Sequence, residues 1–307
     1  MIRYISARLL ATVPVVFGVT LTVFSMLYLI PGDPVKMMLS EFVTSPQQIA
    51  RMRAQLHLNE PFAQQYARFV WNAARGNLGE SIRDRRPVTD EIMELFPSTI
   101  QLALTALALS AALGVGLGVV AAIRQNSWTD VGAMMLARLG VSMPSFWLGL
   151  LLIFVFSLHL ELLPATGGGG LDHLVMPAFA LGAGAAAITA ALTRSSMLEV
   201  LRMDYMTTAR AKGLAGASVI LRHGLANALI PIVTIFGLQA GQLLAGTVII
   251  ETVFGRPGIG RLLINAILNK DFPLVQGIVL FVAVAYVFIN LLVDVVYAAV
   301  DPRIRYG

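Results

Sequence analysis

The chain has 307 residues, of which 57% are hydrophobic and 13% charged, and a formal net charge of +5. Soluble globular chains carry roughly 25% charged residues and about 45–50% apolar ones. At a mean hydropathy of +0.77, too little polar surface remains for a water-soluble particle, and disorder, which needs low hydrophobicity, is excluded too.

A helix needs about 20 apolar residues to cross a bilayer. Six runs free of Asp, Glu, Lys, Arg and His reach that length: Leu9–Gly32, Leu95–Ile123, Leu139–Leu158, Leu174–Thr193, Gly224–Ile250 and Phe272–Val293. The first begins after Arg3 and Arg8, as a signal peptide would. Its apolar run is too long for one, and Ile30-Pro31-Gly32-Asp33-Pro34 is no small-residue cleavage site. It reads as a retained span. The expected fold is therefore all-α and polytopic, with six transmembrane helices. Three segments follow: an N-terminal helix at 1–32, an outer region at 33–94 and a five-helix core at 95–307.

Orientation follows from Lys and Arg in short loops. With the N-terminus inside, eleven fall on the inner side and three, Arg256, Arg261 and Lys270, in the two short outer loops. Both termini are thus expected in the cytoplasm. The excess of +5 then reflects retained inner-loop cations and not a nucleic-acid partner. Within the outer region, Phe62, Tyr66, Phe69, Val70 and Ala73 recur at helical spacing after Pro61, a good first-turn residue. That spacing predicts an amphipathic surface helix, with docking of an external partner as its functional reading.

Signatures of autonomous chemistry are missing. A phosphate-binding loop ends in Gly-Lys-Ser/Thr, yet none of the three lysines, Lys36, Lys212 and Lys270, follows a glycine. Ion-coupled carriers place ionisable groups at mid-membrane, and here the runs are bare. Asp294, just past the last run, reads as an interface anchor. His57, His159, His173 and His223 include no pair at i, i+4. No Gly-x-Ser-x-Gly elbow occurs, and Gly140-Val141-Ser142-Met143 has no histidine placed beside it. With no cysteine, disulfides and thiolate metal sites are excluded. Gly114-x-Gly116-x-Gly118, Gly182-x-Gly184-x-x-Ala187 and Gly237-x-x-x-Gly241 resemble pieces of nucleotide fingerprints, but inside membrane helices small residues serve close packing. Leu163-Pro164-Ala165-Thr166-Gly167 reads as an outer turn. No catalytic, cofactor or metal site is expected in this chain.

One inner loop stands apart. Arg194–His223 is expected to form a helix to about Thr208, a basic turn Ala209-Arg210-Ala211-Lys212, a stop at Gly213, and a second short helix near Ala217–Ala228 before Pro231. Binding to anionic headgroups explains Arg202, Arg210, Lys212 and Arg222. It does not explain helix, glycine and helix. A short surface helix between breaks can dock in a groove of a soluble partner.

The stretch Asp204-Tyr205-Met206-Thr207-Thr208-Ala209-Arg210-Ala211-Lys212-Gly213-Leu214, running on to Asn227-Ala228-Leu229-Ile230-Pro231, resembles the coupling loop of binding-protein-dependent ABC importer permeases. It is most similar to the B-type permeases of the dipeptide/oligopeptide/nickel family. Met1–Leu10, Leu29–Pro34, Gly76-Asn77-Leu78-Gly79-Glu80-Ser81, Arg86-Pro87-Val88, Thr252–Gly260 and Asp301–Tyr306 resemble further family motifs in the same order. The general loop pattern has Glu-Ala-Ala before its glycine and ends in Ile-x-Leu-Pro. Here Thr207-Thr208-Ala209 and His223-Gly224-Leu225-Ala226 occupy those places, so no salt bridge is assigned at Thr207.

The resemblance implies a non-catalytic subunit in a bacterial inner membrane. It implies a second, C-type permease chain, two ATP-binding subunits that hold ATP and magnesium, and an extracytoplasmic substrate-binding protein. Contact with the ATPases would fall to Asp204, Tyr205, Thr207, Thr208, Ala209, Arg210, Lys212 and Gly213. Within that set Tyr205 anchors, Arg210 contacts the ATPase or the helix end, and Gly213 permits the turn. Peptides are the expected cargo, with nickel complexes, glutathione or another small solute as alternatives. A self-sufficient secondary transporter or channel is the rival class.

Overall fold

The computed structural model describes residues 2–29, 35, 46–55 and 58–300, and the side chains of most of them. The helices in chain order are α1 (Ile2–Leu29), α2 (Pro46–Gln55), α3 (Phe62–Ala74), α4 (Val88–Ile123), α5 (Trp128–Ser142), α6 (Ser145–Leu152), α7 (Asp172–Leu201), α8 (Asp204–Ala211), α9 (Gly216–Ser218), α10 (Ala226–Val253), α11 (Ile259–Leu268) and α12 (Phe272–Val300). Two π-helical segments, Ile153–His159 and Val219–Leu225, extend α6 and join α9 to α10. Among the described residues the only β-type pairing is an isolated bridge between Glu80 and Pro87. The chain is all-α, as expected.

Four helices are long and apolar enough to cross a membrane, or five if the α5–α6 pair counts as one span. That pair corrects the third apolar run. Leu139–Leu158 is not one straight helix, because the chain bends by 107° between α5 and the helix starting at Ser145. Pro144 is the reason: its ring pushes the preceding residue out of the helical region, and Met143 is extended at φ −91°, ψ 125°. A charge-free run says nothing about such a break. Residues 30–34 and 301–307, with the family-like motifs they carry, lie outside the described residues, as does the side chain of Asp294.

Internal packing divides the chain into two units: Ser98–Pro257 with Ile289–Gly307, and Ile2–Pro97 with Gly258–Phe288. In the second, the amphipathic helix forms where its spacing put it, as α3 after Pro61. Its apolar face is covered by α1. The Phe24 ring lies 5.1, 5.6 and 5.5 Å from those of Phe62, Tyr66 and Phe69. Thr20 and the Tyr66 hydroxyl share a hydrogen bond of 2.8 Å, and Tyr28 donates to Gln65. A partner on this helix would therefore meet its other face, where Trp71 is exposed under the Arg75 guanidinium.

The second unit also explains the Gly76–Ser81 stretch. Gly76 and Gly79 hold φ of +79° and +92°, which glycine adopts without strain. They turn the chain so that Ser81 is buried and its hydroxyl donates to Asp271 Oδ2 at 2.6 Å. Asp271 also accepts from the Leu274 amide through Oδ1 at 3.3 Å, capping α12. Beside it, Val88, Ile92, Ile259, Ala266, Leu274 and Ile278 form a core, with Gly277 directly beneath Val88. Removing a cap costs about 0.5–2 kcal/mol, and an orphaned buried hydroxyl about 1–3 kcal/mol more. Asp271→Ala is thus expected to lower the melting temperature of the purified chain in detergent, and Asp271→Asn to lower it less. Equal melting of wild type and Asp271→Ala would contradict the fastening role.

In the first unit α7 is the hub. Leu174, Met176, Ala178, Ala180 and Leu181 pack with Leu102, Ala106, Leu243, Ile250 and Phe254. Most of the pattern glycines sit at close helix contacts, Gly116 being an exception. A Cβ at Gly182 would lie 2.6 Å from the Ala106 carbonyl oxygen, and one at Gly140 would lie 3.0 Å from that of Ala183. Gly237 sits against Val293. Leu163–Gly167 is bent, irregular backbone, tied to the end of α10 by the Gly167 amide, which donates to the Phe254 carbonyl at 3.0 Å.

A seated helix at the end of the central span

The candidate site is built on the C-terminal end of α7. Helical composition continues past residue 201, but the helix does not. Arg202 and Met203 break it, Met203 being extended at φ −73°, ψ 146°, and α8 begins at Asp204. The helix expected to run from Arg194 to Thr208 is therefore two helices. Gly213 stops the second with φ +74°, its amide donating to the Arg210 carbonyl at 3.0 Å.

The second short helix also needs correction. Ala217–Ala228 is not a separate element ending before Pro231, because helical structure runs from Gly216 through the π-segment into α10. Pro231 lies inside α10. Proline removes one ladder donor, a loss that membrane helices tolerate when neighbouring groups re-satisfy the backbone. In the first turn of α10, Asn227 Nδ2 donates to the carbonyl of His223 in the π-segment at 2.7 Å.

Two faces of α8 have different fates. Met206 and Ala209 point inward and are buried, packing with Val219, Val200 and Leu201. Gly224 makes the seat. A methyl there would lie 3.4 Å from the Met197 terminal methyl and 3.5 Å from that of Met206. Sequence periodicity sets Met197, Leu201 and Tyr205 on one helical face; the break at Arg202-Met203 leaves Met197 buried and Tyr205 exposed, and neither Met206 nor Gly224 stands out in the sequence. Of the singled-out residues, Asp204, Tyr205, Thr207, Thr208, Arg210, Lys212 and Gly213 are exposed. Tyr205 is 42% exposed, a large aromatic only partly covered by this chain. Ala209 belongs to the seat and not to the outer face. Thr208 bonds back to the Asp204 carbonyl at 3.1 Å, so its hydroxyl is partly used within the helix.

Buried and half-buried polar groups lie on or beside α5, α7 and α10. Arg194 donates through Nε and Nη2 to Asp130 Oδ1 and Oδ2 at 2.6 and 2.7 Å. Gln239 Nε2 donates to the Ala185 carbonyl at 3.0 Å and to Thr189 Oγ1 at 3.2 Å, within the apolar run that contains it. Glu251 is buried, accepting from Thr99 at 2.6 Å. Arg256 is buried too, with Nη2 donating to Gln101 Oε1 at 2.8 Å. Burial lowers its pKa while Glu251 raises it, and an arginine remains charged either way. Among the described residues no group of three or more His, Cys, Asp or Glu is placed to hold a metal ion. A groove of about 850 Å³ runs between α5 and α7, lined by Met134, Arg138, Ser142, Ala187 and the Asp130–Arg194 pair among others.

These features seat a short surface helix at the end of α7. Comparison with known proteins gives the family. Residues 114–306 match the family model of binding-protein-dependent transport system inner membrane components. Residues 1–103 match the model of that component's N-terminal part. The chain is 44% identical to the di/tripeptide transport system permease protein DppB of Pseudomonas aeruginosa, covering 100% of this chain and 99% of that protein. It is 42% identical to the glutathione transport system permease protein GsiC of Escherichia coli, covering 100% of both. Among solved structures, a chain of the inward-facing MetNI methionine ABC transporter superposes with a TM-score of 0.56 at 16% identity, over 68% of this chain and 97% of that one. An amino acid ABC transporter with histidines gives 0.51 at 15%, over 70% and 94%. These last two likenesses bear on fold alone. By sequence, the chain belongs to the inner membrane components of binding-protein-dependent transport systems and is a multi-pass permease subunit.

Proposed function

We propose that this permease forms half of an import path for short peptides, driven by ATPases that grip α8. The assembly would hold a second, C-type permease, two ATP-binding subunits with their ATP and magnesium, and an external binding protein. The chain would cross the membrane six times with both termini inside, and 33–94 would face the binding protein. Two relatives named for di/tripeptides and for glutathione, itself a tripeptide, support the cargo class. A nickel complex or another small solute remains the alternative.

The observation that carries the coupling role is the division of α8 into a buried seat and an exposed face bearing Tyr205, Arg210 and Lys212. ATP-driven closure of the ATPases would displace such a knob, and a rigid, two-position element would pass the displacement to the helices. The test is reconstitution in liposomes. Uptake of trialanine should require ATP, the binding protein and all partner subunits. ATP-independent uptake by this chain alone would establish the rival, a self-sufficient carrier.

The two faces also predict opposite defects. Tyr205→Ala should leave the melting temperature of the purified chain unchanged and reduce co-purifying ATPase at least tenfold. Met206→Ala empties the seat, and burial losses of that kind cost about 2–5 kcal/mol. It should lower the melting temperature first and coupling as a consequence. Retained ATPase in Tyr205→Ala would remove Tyr205 from the interface.

A further inference from the structure

We propose that Asp130 and Arg194 are a positioning pair for transport: they lock α5 to α7, so that a displacement of α8 moves the groove wall. The proposal rests on the reading of α8 as the ATPase-facing helix. Arg194 lies seven residues before Leu201, the last residue of α7, so about 10 Å of rigid helix separates the pair from the α8 junction. Met197 lies on the same stretch and is the side chain that shares the Gly224 seat with Met206. The pair and the knob are thus joined through one continuous helix and one packed contact.

On the other side, Asp130 opens α5. Its carboxylate takes both guanidinium bonds and a third, from the Asn126 amide at 2.9 Å. The Ser127 hydroxyl caps the same turn by accepting from the Asp130 amide at 3.3 Å. Such a fork-to-fork pair has fixed direction as well as strength. Farther along, α5 meets α7 mainly through small residues: Ala137 packs with Ala187 and Ala190, with Met134 at the margin, and a Cβ at Gly140 would lie 3.3 Å from that of Ala187. Flat surfaces of this kind permit sliding and rotation. The ion pair supplies the missing restraint at the end nearest α8. The groove between the two helices begins at the same residues, so its width depends on whether they move together.

Ion pairs of this depth also bear on folding, so the test must separate the two roles. Replacing a buried pair by apolar residues of similar volume is often neutral for stability, which makes D130L/R194M the informative variant. The chain lacks cysteine, so spin labels at Trp128→Cys on α5 and Glu199→Cys on the exposed side of α7 report the α5–α7 distance in the assembled complex cleanly. In the otherwise wild-type complex that distance should be single and unchanged between nucleotide-free and ATP-bound states. In D130L/R194M the distribution should broaden or shift on ATP binding. Trialanine taken up per ATP hydrolysed should fall at least tenfold, at unchanged subunit stoichiometry and melting temperature. An unchanged distance distribution, or an unchanged uptake-to-hydrolysis ratio, overturns the proposal. Failure of the underlying reading would look different, because Tyr205→Ala would then retain both its ATPase subunits and their stimulation.

Discussion

Gly213→Pro is expected to abolish binding-protein-stimulated ATP hydrolysis in the assembled complex while the chain is still made and inserted. The physical case is local. Gly213 holds φ +74°, and proline is fixed near −65°. Proline also deletes the amide that closes α8 onto the Arg210 carbonyl. The helix then loses its stop, and Arg210 and Lys212 are re-aimed. Size is a separate matter. A Cβ at Gly213 meets nothing within 4 Å, so a side chain there has room and only the backbone is strained. Gly213→Ala should therefore cost about 1 kcal/mol and reduce stimulation without abolishing it. Gly213→Asn, which tolerates the left-handed region, should come closest to wild type. The ranking Gly, Asn, Ala, Pro in stimulated hydrolysis, with equal subunit recovery, is the measurement. Full stimulation in Gly213→Pro would remove this turn from the coupling path.

What the sequence disclosed follows the range of the interactions involved. Local periodicity was enough for α3, because Pro61 and four aromatic or aliphatic turns act within one helix. The four long apolar helices were visible because a bilayer excludes charge over about 20 residues at a stretch. The glycine stop at residue 213 was visible because φ > 0 belongs to glycine. The break at Arg202-Met203 was not, since its residues form helix as readily as their neighbours do, and the burial of Met206 and Ala209 against Val219, Val200 and Leu201 is a tertiary contact. Pro144 and Pro231 show the limit from both sides. One bends the chain by 107°, the other sits inside a continuous helix, and only the surrounding packing separates them. Asp130 and Arg194 stand 64 residues apart; counting Lys and Arg by loop set Arg194 among the inner cations and gave Asp130 no part. Partner choice at that separation is a tertiary fact.

The Gly114-x-Gly116-x-Gly118 triplet provides the sharpest internal control in the molecule. A Cβ at Gly114 would lie 2.5 Å from Thr189 Cβ and 2.7 Å from the Ala186 carbonyl oxygen. One at Gly118 would lie 2.5 Å from Thr193 Cβ and 2.6 Å from the Ala190 carbonyl oxygen. Both pairs are α4 against the backbone of α7, which cannot yield without parting the helices. Gly116, on the opposite side of α4, meets nothing within 4 Å. In a membrane the apolar effect does not hold helices together; close packing does. Gly114→Leu and Gly118→Leu should therefore each cost several times the roughly 1–3 kcal/mol of ordinary overpacking, since separation also exposes Thr189 and Thr193. Loss of folded, monodisperse protein in detergent is the expected result for both. Gly116→Leu should purify and melt as wild type does, although it changes the same motif by the same residue. A nucleotide-type loop would need all three glycines for backbone approach, so equal sensitivity at the three positions would contradict the packing account and reopen the motif.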